Sequence, residues 1–371
     1  MAHIVQKVLL VLFMLTVLGA CSGDDSTTIN IEAPSNNGGD SGGGSSGGGD
    51  SSGGGSGDGE TPASCPEGTS EVSEGLCELP QTVSSDLTLT AGVDYLMEGR
   101  VTVGNGNGQL ETNNDGSLDD GSAVQAVTLT IEAGVQVFGK SGTFANLLIT
   151  RGSKLMAMGT AEAPIIFSSD DEGYEGSGEW GGLIIHGYAP HNECAEGGSY
   201  CDIDSEGESG FAGGYDPDDS SGVLRYVVVA EGGYEFSTGN EINGISLVGV
   251  GSGTEMDYIQ VHGNSDDGIE FYGGNVNVKH GVFTNNNDDS VDWDEGYQGN
   301  LQYIIVKQGA SKGEAFEMDT EGSSDGFLSK PTLANVTIIN DKVADRAKYS
   351  LNFKKRSGGF FHNTVVTVAD S

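Results

Sequence analysis

Short apolar runs, broken by glycine, asparagine and aspartate, make up the chain from about residue 87 onward. These runs are rich in β-branched and aromatic residues. None of them continues with the three-to-four-residue spacing of an amphipathic helix. The pattern therefore predicts an all-β domain.

An internal repeat decides the architecture of this domain. A first strand pattern (apolar, two residues, apolar, one residue, apolar) begins at Leu224, Met256, Val278, Leu301, Leu333 and Phe361. A second strand follows in the same turns, with paired apolar positions at Ile245/Leu247, Ile269/Phe271, Val291/Trp293, Phe316/Met318 and Leu351/Phe353. Successive copies lie 22 to 35 residues apart. This spacing predicts a coiled parallel sheet, with strands of successive turns stacked about 4.8 Å apart.

Specific segments add a family resemblance. One position, just inside the first strand, is held in successive turns by Tyr226, Tyr258, His280 and Tyr303. The second strands begin with the similar runs Asp266-Asp267-Gly268-Ile269-Glu270-Phe271 and Asp288-Asp289-Ser290-Val291-Asp292-Trp293-Asp294. The repeat resembles the right-handed parallel β-helix of the pectin-lyase-like superfamily. The segments are similar to those of uncharacterised bacterial surface lipoproteins with that fold, a resemblance that implies the fold but no reaction.

The first residues are typical of an exported protein. Lys7 precedes an apolar run over residues 8–18, which is too short to span a membrane as a helix. The run ends in Leu18-Gly19-Ala20-Cys21, which resembles the lipobox of bacterial lipoproteins. This resemblance implies cleavage before Cys21 and lipidation of its thiol, and Ser22 implies transfer to the outer membrane. An ordinary cleaved signal peptide with a free Cys21 is the alternative.

We therefore expect four segments along the chain. They are a lipoprotein signal peptide over residues 1–20, a lipid-anchored Gly/Ser/Asp linker over 21–60, a disulfide-containing N-terminal cap over 61–84 and the β-helix over 85–371. The linker composition predicts a disordered stalk with a reach of roughly 35 Å. The remaining cysteines form two close pairs, Cys65 with Cys77 and Cys194 with Cys201, which predicts two local disulfides in an exported protein.

The last residues begin a fresh rung at Phe361, and no helix or charged loop follows to cover it. Bare sheet edges invite pairing with another chain. We expect this edge to be covered, either by a continuation of the chain past Ser371 or by a partner, so that oligomers can form through the uncapped rung.

Net charge limits the class of partner. The 371 residues include 55 Asp and Glu against 16 Lys and Arg, which gives a formal charge of −39. So few cations cannot neutralise the phosphates of a nucleic acid, and we exclude nucleic acid as a partner. The membrane is expected to be contacted through the lipid anchor only.

Outward positions of the second strand form two columns of acids. Glu270, Asp292 and Glu317 lie in one, and Asp294 and Asp319 lie in the other. Charges about 4.8 Å apart repel by roughly 3 kcal/mol at an effective dielectric of about 20. Calcium, which takes several oxygen ligands and is plentiful outside cells, is the expected cofactor. The alternative is that these acids only keep an exported protein hydrated and soluble.

A weaker calcium candidate precedes these turns. Glu111, Asn113, Asp115 and Asp119 follow the ligand spacing of an EF-hand loop, but Ser122 stands at the twelfth position, where a bidentate Glu is expected. A Gly/Asn-rich insertion between two rungs explains the segment equally well.

Enzymatic interpretations involve the same turns. Asn264-Ser265-Asp266 and Asp288-Asp289 resemble two of the motifs of polygalacturonase-like β-helices, with Lys354 in place of a basic substrate contact. The Gly-His-Gly motif of that family is missing. Paired carboxylates such as Asp266, Asp288 and Asp289 can still serve as acid and base. A calcium-dependent lyase using a basic residue is a further alternative, although ion pairs of the last-rung lysines with Asp319 and Glu321 are the simpler interpretation.

The sequence thus predicts an outer-membrane-anchored surface lipoprotein. It would bind extracellular polysaccharide or a cell surface with the help of calcium and without catalysis. A polysaccharide hydrolase or lyase acting on an acidic glycan is the first alternative, and a structural subunit of a surface assembly is the second.

Of the two tryptophans, Trp293 falls on an inward position, whereas Trp180, before Gly181-Gly182, could be exposed.

Overall fold

The structure of the chain is a computed structural model. It describes residues 64–110, 116–171, 173–194, 198, 200–204, 206–238, 240–309, 313–322, 326–340 and 349–367. The predicted signal peptide, the lipidation site Cys21 and the predicted linker lie outside these residues, as do Glu111, Asn113 and Asp115. Within the described ranges, no helix is long and apolar enough to cross a membrane.

The described chain consists of strands and connecting loops, with one 3-10 turn at Glu206–Glu208. Its first half contains β1 (Ser70–Ser73), β2 (Leu76–Glu78), β3 (Thr82–Val83), β4 (Leu87–Leu89), β5 (Asp94–Met97), β6 (Val101–Val103), β7 (Thr128–Ile131), β8 (Gln136–Gly139), β9 (Leu147–Ile149), β10 (Lys154–Met158), β11 (Ile165–Ser169), β12 (Leu183–His186), β13 (Ile203–Asp204) and β14 (Phe211–Ala212). Its second half contains β15 (Gly222–Ala230), β16 (Ile245–Val248), β17 (Glu255–His262), β18 (Ile269–Tyr272), β19 (Asn277–Thr284), β20 (Val291–Asp294), β21 (Asn300–Gln308), β22 (Phe316–Met318), β23 (Thr332–Asn340), β24 (Leu351–Phe353) and β25 (Phe360–Thr367).

The strands coil into a right-handed parallel β-helix, as the repeat predicts. A fourteen-stranded sheet runs along one side from β1 to β25, and a nine-stranded sheet runs along another from β3 to β24. The predicted register is confirmed in both. Leu224 pairs with Met256, and Ile269 with Val291, so the inward apolar positions of each turn stack on those of the next. Outward positions are stacked by the same register.

The long strands of the second half are bent at the position that Tyr226, Tyr258, His280 and Tyr303 hold in successive turns, and we call these stacked rings the aromatic ladder. In the first half, each turn contributes two short strands to the larger sheet, and β10 and β11 both pair with the single strand β15. The bend in β15 falls at Tyr226, whose φ of 50° is left-handed. Tyr258, His280 and Tyr303 repeat this conformation, and their rings stack with centroids 4.3, 4.4 and 4.9 Å apart. The stacking offsets part of the cost of a strained backbone.

Both tryptophans are buried in the core. Trp293 lies inward, as predicted, and its Nε1 donates to Ser357 Oγ at 3.0 Å. The expectation that Trp180 could be exposed is wrong, because its ring is fully buried and its Nε1 donates to the carbonyl of Ala230 at 2.7 Å. Gly139 of the preceding turn has no side chain and leaves room for the indole.

The predicted disulfides are both present. Cys65–Cys77 ties the N-terminal segment to β2, on which β1 packs as an antiparallel hairpin strand. Cys194–Cys201 closes the long loop after β12. The buried Arg151 guanidinium donates to the carbonyl of Cys201 at 2.9 Å and pairs with Asp202 at 2.9 Å, so the disulfide-closed loop is fastened to the β-helix.

Candidate functional site

One outward column of the nine-stranded sheet changes character along the molecule. The strand register stacks Thr102, Leu148, Ile184, Ser246, Glu270, Asp292, Glu317 and Asn352 in this order. Leu148 and Ile184 are sealed under Ile242, with Phe144 and Phe236 packed against them. From Glu270 onward the column consists of carboxylates, so the same side of one sheet is apolar in one half and acidic in the other.

Turn residues enlarge the acidic half. We call the acid face the set Asp267, Glu270, Asp289, Asp292 and Glu317, in which Asp267 and Asp289 stand in the turns that precede β18 and β20. These acids do not form an ordinary hydrated surface, because Asp289, Asp267 and Glu270 are only 4%, 6% and 8% exposed. Solubility alone does not account for these three buried carboxyl groups.

Hydrogen bonds hold several of these carboxylates in place. Asn243 Nδ2 donates to Glu270 Oε2 at 2.6 Å, and the Tyr272 hydroxyl donates to the same oxygen at 2.5 Å. The backbone N–H of Asp289 donates to Asp267 Oδ1 at 2.9 Å, which links the acids of adjacent turns. The backbone N–H of Glu314 donates in the same way to Asp289 Oδ1. The carboxylates are thus oriented by the turns beside them.

Asp292 lies at the centre of the acid face. Its Oδ1 atom is buried and has no hydrogen-bond partner. Carboxylate oxygens of Asp267, Glu270 and Asp292 lie within 4.8 Å of one another, and those of Asp289, Asp292 and Glu317 do the same. A buried carboxylate oxygen is normally bound by a hydrogen-bond donor or a cation. The arrangement fits a cation with several oxygen ligands.

Crowding and burial shift the acid equilibria of this face. Burial raises the pKa of Asp289 to about 8, and Asp288 and Glu314 contribute in the same direction. Burial, with the charge of Glu270, raises the pKa of Asp267 well above its ordinary value. The pKa of Asp292 is raised well above its ordinary value by burial and by the nearby Asp267. Without a bound cation, some of these carboxyl groups must hold a proton, which reduces the negative charge of the acid face.

The second predicted column, Asp294 and Asp319, lies beside the acid face and is partly neutralised. Burial, opposed by two backbone hydrogen bonds, raises the pKa of Asp294 to about 7. Asp319 accepts from the backbone N–H of Thr320 at 2.6 Å and faces Lys355 Nζ at 3.6 Å. Lys355 also pairs with Glu321, as the sequence suggested.

Lys354 reaches the acid face from the last rung. Its Nζ contacts Glu317 Oε1. Of the other candidate catalytic residues, Asp266 and Asp288 place carboxylate oxygens within 4.8 Å of each other and of Asp267, and Asp288 and Asp289 do the same with Glu314. Asp288 is exposed, whereas Asp289 is buried.

The disulfide-closed loop after β12 packs beside the second column. Its residue Asn192, two positions before the disulfide-bonded Cys194, donates through its backbone N–H to the carbonyl of Glu295 at 3.0 Å and through Nδ2 to the carbonyl of Glu321 at 2.8 Å. The buried His191 contacts Glu295 through Nε2. Sequence spacing gave no reason to place a histidine here, since its partner is 104 residues away.

Of the EF-hand-like calcium candidate, only Asp119 lies within the described residues. Asp119 is exposed, and its backbone N–H donates to the carbonyl of Gln109 at 2.9 Å. Glu111, Asn113 and Asp115 are outside the described residues, so the proposed ligand set as a whole stays a prediction.

A second acid group was missed by sequence reasoning. Asp171, Glu179 and Glu231 place carboxylate oxygens within 4.8 Å of one another, around the hydroxyl of Ser169. Burial and the charge of Glu179 raise the pKa of Glu231 to about 7. These acids come from turns separated by up to 60 residues and follow no repeating strand position, so the column pattern gave no signal for them.

Comparison with known proteins agrees with this architecture. A family model described as a pectate-lyase like beta helix domain matches residues 81–371. No curated protein matches the chain. A solved structure titled as the Streptococcus pneumoniae surface protein and adhesin PfbA is similar at 10% identity and a TM-score of 0.25, over 80% of this chain and 92% of that one. The Azotobacter vinelandii mannuronan C-5 epimerase AlgE6 A-module is similar at 12% identity and a TM-score of 0.16, over 75% and 91%. At these TM-scores neither likeness carries a functional argument.

Proposed function

Because this chain belongs to the family of pectate-lyase-like beta-helix domains, we propose that its β-helix is the scaffold of a calcium-braced binding surface. The protein adheres to extracellular polysaccharide or to a cell surface and does not act as an enzyme. The observation that supports this most directly is the buried, unpartnered Oδ1 of Asp292 among converging carboxylates. We infer that a cation satisfies this oxygen, and a cation held at a partly open face can also contact an external ligand.

Calcium suits this donor set better than other common cations. Asp267, Glu270, Asp292, Asp289 and Glu317 offer only oxygens, from three adjacent turns, and calcium accepts six to eight oxygens in flexible geometry. Zinc would favour nitrogen or sulfur ligands, and no histidine or cysteine belongs to this set. When bound, calcium would neutralise the acids, tie the turns together and offer remaining positions to sugar hydroxyl or carboxylate oxygens.

An acidic glycan is the ligand class that makes the most use of such a cation. A chain with a formal charge of −39 repels polyanions unless cations bridge them. The N-terminal sequence supports display outside the cell, because the lipobox-like Leu18-Gly19-Ala20-Cys21 would fix the chain to the outer membrane and the Gly/Ser linker would hold the β-helix away from it. We therefore assign a lipid-anchored, surface-exposed location as part of the proposal.

Thermal unfolding with and without calcium tests the first step. At a calcium concentration of about a hundred times the dissociation constant, binding stabilises the folded state by about 2.7 kcal/mol, and a chelator removes this gain. Asp292→Asn keeps the side-chain shape and is expected to lose most of the calcium shift. Glu71→Gln, which removes one charge from the exposed hairpin strand β1, is the matched control and keeps the shift. An equal calcium shift in both variants would refute the site.

A polysaccharide hydrolase or lyase is the second candidate, because carboxylate oxygens of Asp266 and Asp288 converge beside Asp267 of the acid face, and Lys354 contacts Glu317 of the same face. Incubation of the purified protein with calcium and a panel of acidic and neutral polysaccharides, followed by size-exclusion chromatography, separates the two functions. Co-elution with intact polymer supports binding. Shortened polymer, lost in Asp288→Asn at unchanged melting temperature, would establish catalysis instead.

A further inference from the structure

A short segment after β12 runs along the axis of the β-helix instead of around it. We call residues 187–192 the strap. Its residues alternate between buried and partly exposed up to His191, and Ala189 and His191 are fully buried. Such alternation is typical of an extended chain that packs on one side. At about 3.3 Å per residue, the strap covers roughly 20 Å, which is the height of about four stacked turns.

The strap bonds to the turn that follows each of the next four strands of the nine-stranded sheet, β16, β18, β20 and β22. These hydrogen bonds are Ala189 N–H to the carbonyl of Gly249 at 2.7 Å, Gly274 N–H to the carbonyl of Pro190 at 2.7 Å, Asn192 N–H to the carbonyl of Glu295 at 3.0 Å and Asn192 Nδ2 to the carbonyl of Glu321 at 2.8 Å. The last three contacts fall three or four residues after Glu270, Asp292 and Glu317. The strap therefore connects the same turns that carry the acid face.

Glycines in the receiving turns allow this close approach. Gly273 and Gly322 have left-handed φ angles of 63° and 80°. A Cβ on Gly273 would lie 2.9 Å from His191 Cδ2, and a Cβ on Gly322 would lie 2.2 Å from Asn192 Oδ1. A larger residue at either position would push the strap away from the turns.

The second disulfide closes the strap back onto its own beginning. The chain reverses direction beyond the strap, where the N–H of Cys194 donates to the carbonyl of His191 at 3.0 Å. The sulfurs of Cys201 and Cys194 lie 3.4 and 3.9 Å from where a Cβ of Gly213 would be. Gly213 in turn donates its N–H to the carbonyl of Gly187, the first residue of the strap, at 2.9 Å. The covalent bond thus fixes the far end of the strap, and Cys194 is partly exposed.

We propose that the strap sets the spacing of the turns that carry the acid face, and that the Cys194–Cys201 disulfide controls calcium affinity there through the strap. This inference rests on the calcium binding proposed above. A dithiol reductant supplies two electrons and two protons: the Cys194–Cys201 bond breaks, both cysteines become thiols, and the reductant closes into a cyclic disulfide. The strap then keeps only its hydrogen bonds, so the carboxylates of adjacent turns are less well fixed to share a cation.

Calorimetric titration of the full chain with calcium chloride tests this control. Reduction with dithiothreitol is expected to raise the calcium dissociation constant by at least about ten-fold, and reoxidation with oxidised glutathione is expected to restore it. Cys65→Ser/Cys77→Ser removes the other disulfide and is the matched control, which should respond to the reductant in the same way. Cys194→Ser/Cys201→Ser should bind calcium weakly from the start and should not respond.

Asn192→Ala tests the strap with the disulfide intact. It removes the bond from Nδ2 to Glu321 and should raise the dissociation constant by about three-fold. Equal affinity before and after reduction would overturn the control and leave the calcium site in place. A lack of calcium binding by the oxidised chain would overturn the calcium function as well. Loss of the far-ultraviolet circular dichroism signal on reduction would show that the disulfide serves the fold alone, which would also overturn the control.

Discussion

The two halves of one column on the nine-stranded sheet differ in a way that separates fold from function. Ile184 and Asp292 stand at equivalent outward positions of parallel strands in the same sheet. Ile184 is sealed by Ile242 from a loop, and Asp292 lies among acids with a buried oxygen that has no hydrogen-bond partner. The inward residues set the register in both halves. Outward positions are therefore free to serve packing in one half and to carry converging carboxylates in the other.

The largest expected effect is a pH dependence of stability to which the acidic half contributes most. A carboxyl whose pKa is higher in the folded than in the unfolded state stabilises the fold while it holds its proton, and this contribution is lost as pH rises through the folded value. Asp289 and Asp294, at about 8 and about 7, release their protons between about pH 6.5 and about pH 8.5. Asp267, Asp292 and Glu231 act in the same direction.

The free energy of unfolding in chelator is therefore expected to fall through the lower part of this range, by up to about 1.4 kcal/mol per pH unit for each proton that the folded state still holds and the unfolded state has lost, and to level off at its upper end. Urea titrations at several pH values measure it. The buried His186, with a pKa lowered to about 3 by burial, opposes the trend only below its unfolded value of about 6.5, so the range avoids it. Asp289→Asn is expected to reduce the slope, and an unchanged slope would show that this carboxyl does not titrate there.

The second effect is the loss of stability when a carboxylate is placed in the apolar half, at the position that Asp292 holds in the acidic half. Ile184→Asp buries a carboxylate under Ile242 without the turn hydrogen bonds that the acid face provides, and should lower the free energy of unfolding by about 4 kcal/mol at neutral pH. Ile184→Val removes one methylene group and should cost about 1 kcal/mol. Urea unfolding of both variants measures the difference. Equal costs for the two variants would mean that the apolar half tolerates charge as readily as the acidic half.

The smallest effect concerns Lys354, whose ammonium group would compete with calcium for the carboxylate of Glu317. Lys354→Met removes the ammonium that contacts Glu317 while retaining most of the side-chain volume. Stability should change by less than about 1 kcal/mol, because this lysine is exposed. Calcium affinity, measured by calorimetric titration, should rise, since Glu317 no longer shares its charge with a lysine. Lys279→Met, which removes a cation near Tyr303, should leave the affinity unchanged, and a rise in both variants would indicate a general charge effect.

The sequence could predict the register because the apolar pairs of the second strand recur in every turn. The stacking of Glu270 on Asp292 and of Asp292 on Glu317 followed from that register alone, as did the ladder from Tyr226 to Tyr303. The disulfides followed from the close spacing of their cysteines.

The environment of the acids could not be predicted in the same way, because burial depends on segments distant in sequence. Asn243, which holds Glu270, lies 27 residues before it, and His191 lies 104 residues before Glu295. The error at Trp180 has the same origin, since the space for its indole is left by Gly139 of the preceding turn. Strand alternation identifies outward positions but does not indicate which of them another loop will cover.

The two tryptophans give each half of the molecule its own optical reporter. Trp180 stands just before β12, the strand of Ile184 in the apolar half, and donates to the carbonyl of Ala230, whereas Trp293 lies directly inside the acid face, with its indole bonded to Ser357. A solenoid whose turns contact only their neighbours can lose structure at one end before the other. Fluorescence of the variants Trp180→Phe and Trp293→Phe would therefore follow the melting of each half separately, and would show directly whether calcium holds only the turns that carry the carboxylates.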